Sequence, residues 1–294
     1  VRDIRINWKI SDDKRDEGLT TPEDIIRFDN ISYGPYGDAN LLDIYHQKKV
    51  TKPQKTIISI HGGGWVYGSK EQYQFYGMRL AQRGFTFVNF NYRLAPEYKY
   101  PTALEDINQV FLFIRDHAEE YAIDTNNIFV VGDSAGAQLA TQYLIICTNP
   151  EYAKHFTFIP SGIKVRAVGL NCGVYDTSDP EHTSPNDVFL EYTGKEILED
   201  TEKARNMRDE LDSLKYMTGD FPPAFVTSAV HDFILKNAQP MYEKLQSLGI
   251  DSEVHIYGSK EKEEVSHVFH VNCRLPEADQ CNDEECAFFN RYVV

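Results

Sequence analysis

Residues 128–136 read Ile-Phe-Val-Val-Gly-Asp-Ser-Ala-Gly, and this stretch decides the fold. Ile128–Val131 is a short apolar run, the pattern of a strand buried on both faces. Ala135–Cys147 has the composition of a helix. Between them, Gly132-Asp133-Ser134-Ala135-Gly136 places a serine at a sharp strand-to-helix turn, the G-x-S-x-G context of an exposed nucleophile. The glycines leave room where side chains would clash. The helix start behind the serine supplies free N–H groups and the positive end of its dipole. By composition alone such a match arises about 0.1 times per chain, so its weight comes from the strand before it and the helix after it.

The same alternation extends in both directions. Thr56–Ile60, Phe85–Phe90, Val165–Leu170, Ala224–Ala229 and Ser252–Tyr257 read as strands. Gln72–Arg83, Ala103–Tyr121, Ala238–Leu248 and a last segment near Glu284–Tyr292 read as helices. Ile31–Tyr33 and Leu41–Tyr45 flank a Gly-Pro-Tyr-Gly-Asp turn and predict a hairpin. Within 1–30, helix formers cluster at Asp12–Gly18 and Thr21–Phe28. Strand–helix alternation predicts an α/β fold: a mostly parallel central sheet flanked by helices, with its site at the carboxyl ends of the strands. Residues 176–220 break the rhythm, being polar and charged where a short connection would suffice. They predict a small helical lid, joined by 1–30, on one α/β domain spanning 1–294.

Two further motifs follow strands. His61-Gly62-Gly63-Gly64-Trp65 presents consecutive backbone N–H groups that can cradle a developing oxyanion. Its chance expectation is roughly 0.002. His61 itself reads as a loop-holding residue. Asn91-Tyr92-Arg93-Leu94-Ala95-Pro96-Glu97 completes the set, with Pro101 and Glu105-Asp106 behind it. With HGGGW, YRLAPE and GDSAG in this order, the chain from about His61 to His267 resembles the hormone-sensitive-lipase-like family of α/β-hydrolases, microbial carboxylesterases and lipases. The resemblance implies an α/β-hydrolase fold and a Tyr92–Glu97 loop that buttresses the site. Trp65, Tyr67, Tyr92 and Tyr175 are the aromatics expected near the pocket.

In such enzymes the acid and then the histidine follow the serine. The resemblance places the acid at Asp232, after the strand Ala224–Ala229, in a D-F-L-like setting. It places the base at His267, in a pattern usually H-G-F but here His267-Val268-Phe269. His270 is the competitor, and His231 sits too close in sequence to Asp232 to be oriented by it. The expected catalytic set is therefore Ser134, Asp232 and His267, with N–H groups of Gly63, Gly64 and Ala135 as the oxyanion hole. The implied activity is that of a serine carboxylesterase hydrolysing small soluble carboxylic esters through an acyl-enzyme. Two alternatives stay open. One is an amidase or arylformamidase using the same triad, separated by assaying ester against matched amide. The other is a non-catalytic binding protein on a hydrolase fold, which a fluorophosphonate would fail to label.

Composition bounds the partners. Of 294 residues, 30 are Lys or Arg and 45 Asp or Glu, a formal charge of -15. That field repels phosphate backbones and anionic lipid surfaces, so neither nucleic acid nor membrane is expected. No stretch approaches the ~18 apolar residues of a span. The polar Val1–Arg5 has no signal-peptide core. A cytoplasmic protein is expected, with a secreted one left open because a cleaved signal would already be gone. Cys147, Cys172, Cys273, Cys281 and Cys286 are too sparse for a disulfide scaffold. Cys273, Cys281 and Cys286 lie near His267 and His270 but lack close C-x-x-C pairs. No metal or organic cofactor is expected.

Overall fold

The computed structural model describes residues 1–177 and 188–294. Its strands are β1 (Ile25–Ser32), β2 (Leu41–Gln47), β3 (Gln54–Ile60), β4 (Thr86–Phe90), β5 (Ile123–Asp133), β6 (Val165–Asn171), β7 (Ala224–Ala229) and β8 (Ser252–Tyr257). Among the described residues these eight form one sheet, ordered β1-β2-β4-β3-β5-β6-β7-β8. The β1–β2 and β2–β4 pairs are antiparallel, and every pair from β4 through β3 to β8 is parallel. This is the α/β-hydrolase architecture, a mostly parallel sheet flanked by helices. The chain runs from β3 to β4 on one side and returns to β5 on the other. The carboxyl ends of β3 and β5 thus flank the switch point where such sheets hold their sites.

The central strands carry apolar runs because both of their faces are covered, whereas the edge strands β1 and β8 are polar and partly exposed. Ile58, Val88, Val130, Val168 and Val226 point to one face, and their neighbours Ile57, Phe87, Phe129, Ala167 and Phe225 to the other. The first face packs on α3 (Thr102–His117), α4 (Ala135–Thr148) and α8 (Ala238–Ser247) through Leu104, Phe111, Leu139, Tyr143 and Met241. The second packs on α2 (Gln74–Gln82) and α9 (Pro276–Asn290) through Tyr76, Leu80, Phe288 and Phe289. Helix α4 is buried on nearly all sides, which fixes the turn that precedes it. A four-residue helix, α5 (Pro150–Ala153), follows it.

Three sequence expectations shift. The helix expected at Asp12–Gly18 is α1 (Arg2–Asp16), which starts ten residues earlier. Thr21–Phe28, expected helical, instead contributes Ile25, Ile26, Arg27 and Phe28 to β1, opposite Gln47 through Ile44. Pairing with β2 overrides a helical composition here. Helix α9 begins at Pro276, where the missing N–H costs nothing. Of the stretch 176–220, residues 178–187 lie outside the described residues. The rest holds α6 (Val188–Thr193) and α7 (Glu202–Leu211), with short 3-10 turns at Lys195–Leu198 and Ser213–Tyr216, so the described part beyond residue 187 is largely helical.

Candidate active site

The turn after β5 sets Ser134 at φ 51° and ψ -120°, a backbone region that costs a non-glycine residue about 1–3 kcal/mol. Its surroundings hold it there. The Ser134 N–H donates to the Asn171 carbonyl at 3.0 Å. Gly136 lies so close to β3 that a Cβ would sit 2.1 Å from the Ile60 carbonyl oxygen. The strained geometry aims the hydroxyl at the carboxyl edge of the sheet, where the loops after β7 and β8 meet it.

His267 Nε2 is 3.0 Å from Ser134 Oγ, and His267 Nδ1 is 2.8 Å from Asp232 Oδ1. Asp232 is further held by the Ser228 hydroxyl at 2.7 Å and the Ile234 N–H at 3.0 Å. Burial by itself would raise its carboxyl pKa. The hydrogen bond and charge of His267, with the two other donors, outweigh burial and hold it below the ordinary value. Serine, imidazole and an ionised carboxylate thus form one hydrogen-bonded line, able to remove a proton from the serine.

The loop after β3 faces this line. Gly63 has φ 110° and Gly64 φ 57°, left-handed conformations that favour glycine. Among the described residues, the N–H groups of Gly63, Gly64 and Ala135 have no hydrogen-bond partner. Gly62 is different: its N–H donates to Asp133 Oδ1 and to the Tyr73 hydroxyl, both at 3.1 Å. Tyr73 in turn donates to Asp133 Oδ2 at 2.7 Å. Burial pushes the Asp133 carboxyl up to about 6 against the pull of Tyr73, His267 and Gly62. The Tyr92 hydroxyl donates to the His61 carbonyl at 2.9 Å, and its ring stacks on His61 with centroids 4.2 Å apart. Arg93 is locked to Asp106 and Glu105. The Tyr92–Glu97 loop therefore supports the glycine loop from behind.

A cavity of about 280 Å³ opens between these groups. Helix α1 forms one wall through Trp8, Ser11, Asp12 and Arg15, and α6 adds Val188. The wall is close: a Cβ on Gly64 would lie 3.1 Å from Val188 and 3.6 Å from Trp8. No residue of α1 is fully buried; Ile4 packs partly buried on the core, and polar contacts add to it. Arg5 donates to the Val66 and Ala95 carbonyls, each at 2.7 Å, and pairs with Glu97. Arg15 reaches the Gln72 carbonyl at 2.6 Å, and the Tyr67 hydroxyl donates to Asp12 at 2.6 Å. Trp8 meets the Tyr67 ring edge-on at 5.7 Å.

The sequence-derived residues meet in this geometry, and their competitors lie elsewhere. His270 is buried against Tyr76, and burial pulls it down to about 3. His61 is also buried, pulled down to about 4, with Nδ1 at 2.7 Å from the Gly62 carbonyl. His231 contacts the Ser259 and Lys260 carbonyls, which ties down the charged 258–265 segment. All five cysteines are free. Tyr92 and Tyr175, expected near the pocket, do not line it, whereas Trp65 and Tyr67 do. Sequence reading missed Trp8, Asp12 and Arg15, although their i, i+4, i+7 spacing marks one helical face. It also missed Asp133, Tyr73 and Phe233, whose exposed ring lies 4.4 Å from the His267 ring.

Fold and site together define a carboxylic ester hydrolase of the α/β-hydrolase class. The BD-FAE family model matches residues 42–245, and the chain belongs to that family. An acetyl esterase of Salmonella paratyphi B is 29% identical over 87% of this chain and 77% of its own length. Esterase LipC of Mycobacterium tuberculosis is 28% identical over 72% of this chain, which spans about half of LipC (54%). Among solved structures, esterase B from Lactobacillus rhamnosis superposes with a TM-score of 0.88 at 23% identity, covering 99% of this chain and 94% of that one. A bacterial heroin esterase does so at 0.77 and 21% identity, covering 99% and 91%. Among the described residues no helix is long and apolar enough to cross a membrane.

Proposed function

We propose that the chain is a serine carboxylesterase acting on small, soluble, neutral esters through an acyl-enzyme. The observation that carries this reading is the line of hydrogen bonds from Ser134 through His267 to Asp232. Ser134 attacks the ester carbonyl as His267 takes its proton, and Asp232 fixes the imidazole and offsets its charge. The N–H groups of Gly63, Gly64 and Ala135 receive the oxyanion, each donor contributing about 3 kcal/mol. His267 then protonates the departing alcohol and activates the water that releases the acid. No metal or organic cofactor takes part.

The size of the substrate follows from the cavity. At about 280 Å³ it lies below the usual ~300–1,000 Å³ of small-molecule sites. Trp8 and Val188 line it, which supports a lid formed by 176–220 with 1–30 over a single catalytic domain. The charge of -15 favours neutral substrates free in solution and fits work in the cytoplasm. The test is a panel of acyl lengths from acetyl to decanoyl, with rates followed through each solubility limit. Saturation below that limit with acetyl preferred supports the reading. A rise in rate when droplets appear, or preference for ten carbons, refutes the substrate class. Amide turnover equal to that of the matched ester would refute the esterase assignment itself.

A further inference from the structure

Cys172 is the first residue past β6, buried and at φ 47°. That left-handed conformation is one L-residues rarely adopt, and the thiol lies beside the acid–base pair. Cys172 Sγ, a carboxylate oxygen of Asp232 and a ring nitrogen of His267 all lie within 4.8 Å of one another. The three come from separate loops, after β6, β7 and β8, so only the folded chain assembles them. The proposed reaction makes no use of the thiol.

We propose that Cys172, Asp232 and His267 form a binding site for a thiophilic divalent cation such as Zn²⁺, and that binding reversibly switches the enzyme off. The donor set of sulfur, imidazole nitrogen and carboxylate oxygen suits Zn²⁺ or Cd²⁺ and disfavours Mg²⁺ and Ca²⁺, which take oxygen ligands. Tetrahedral zinc holds such donors about 3.4–3.6 Å apart. His267 Nδ1 and Asp232 Oδ1, 2.8 Å apart, must part by about 0.6 Å to admit the ion, and Cys172 Sγ, within 4.8 Å of a ring nitrogen and a carboxylate oxygen, must close by about 1.3 Å at most. Three protein ligands leave one position for water. The Asp232 side chain is fully enclosed, whereas that of His267 is 21% exposed to the pocket, so the cation enters past the imidazole.

The chemistry of inhibition follows from which nitrogen is used. Nδ1 is the nitrogen facing Asp232, and in the resting enzyme it carries the ring proton. A cation bound there moves that proton to Nε2, leaving the ring neutral, and the thiol proton leaves to solvent. One proton is released per cation. Nε2–H then points at Ser134 Oγ as a donor and has no lone pair to accept the serine proton. The site is thus built on the triad, but its occupancy depends on a residue outside it.

The experiment compares wild type with Cys172→Ala and Cys172→Ser, all purified free of metal. Zinc affinity is measured by competition with a chromophoric chelator, and cadmium is used to read the thiolate-to-metal absorption band. Ester turnover is scored against each protein's own metal-free rate. Expected are one zinc per wild-type chain, a cadmium–thiolate band, and loss of turnover that tracks occupancy and returns with EDTA. Both variants lose the band and weaken zinc binding and inhibition at least about tenfold, while Cys147→Ala, which alters a half-buried thiol elsewhere, behaves as wild type. Equal zinc affinity in wild type and Cys172→Ala, or zinc bound through Cys172 without loss of turnover, overturns the proposal. The inhibition arm rests on the esterase reading, whereas the binding arm does not. A chain that binds zinc through Cys172 but turns over no ester, even metal-free, overturns the switch and the esterase reading together and leaves only the metal site.

Discussion

Replacing Asp133 by asparagine tests how the glycine loop is held, because the change keeps the shape and removes the charge. Asp133 is buried directly before the nucleophile and accepts from Gly62 and Tyr73. Its proton is held up to about pH 6 in the folded chain, against 3.8 ordinarily. A carboxyl that binds its proton more tightly when folded stabilises the fold fully below its unfolded pKa, and that stability is lost as pH rises through the folded value. At 1.36 kcal/mol per pH unit the interval corresponds to about 3 kcal/mol, of which about 2–3 is lost between pH 4 and pH 8. The Asp133→Asn protein carries no such penalty at pH 8. It brings a different one: the new amide nitrogen meets a Tyr73 oxygen already receiving the Gly62 N–H, so the Tyr73 proton loses its acceptor, at about 1–3 kcal/mol independent of pH. Guanidinium denaturation of both proteins at pH 4 and pH 8 separates the two terms. The variant should be clearly the weaker at pH 4 and gain about 2–3 kcal/mol relative to wild type by pH 8. At pH 8 its kcat should still fall about tenfold, since Gly62 no longer has a charged partner. A stability difference that is the same at both pH values refutes the argument that burial raises this carboxyl.

The other expectations are simpler. Ser134→Ala should cut ester turnover on the order of 10⁴-fold with an unchanged circular dichroism spectrum; substantial residual turnover in the folded variant would remove Ser134 as the nucleophile. His267→Ala should be about as damaging, because the two residues act as one unit, whereas His270→Ala should leave kcat within a few-fold and lower the melting temperature instead. At Val268, with φ 55°, the ordinary order of substitutions should invert: Val268→Gly should be more stable than Val268→Ala by about 1 kcal/mol in urea denaturation, since both lose the side chain but only glycine relieves the left-handed backbone. Arg5→Ala should raise KM several-fold with kcat nearly unchanged and cost about 1 kcal/mol, because it loosens the α1 wall through a half-exposed contact; an unchanged KM would show that α1 holds its place without Arg5.

What the sequence made legible follows from how local each signal is. The elbow at Gly132–Gly136 and the loop at His61–Trp65 are each specified by a strand, a few glycines and a helix start, all within about ten residues, so their roles are written where they act. Asp232 and His267 are read from their places after strands and from family likeness, because the distance between them depends on how β7 and β8 pair. The N-terminus failed for the converse reason. Nothing local marks Thr21–Phe28 as a strand: β1 exists because Ile25 through Phe28 find Gln47 through Ile44 across the hairpin. Among the contacts that hold helix α1, those from Arg5 and Arg15 go to carbonyls about 60 to 90 residues away, and a carbonyl has no sequence signature. Asp133 and Val268 show the subtler case. Each stands inside a recognised motif, but the motif reports the neighbour that does chemistry. The aspartate is explained by the Tyr73 hydroxyl and Gly62 N–H it meets. The valine occupies a left-handed position where the resemblance leads one to expect glycine. That substitution leaves His267 at 3.0 Å from Ser134 Oγ, so the loop carries the strain in its backbone and keeps the imidazole where the nucleophile needs it.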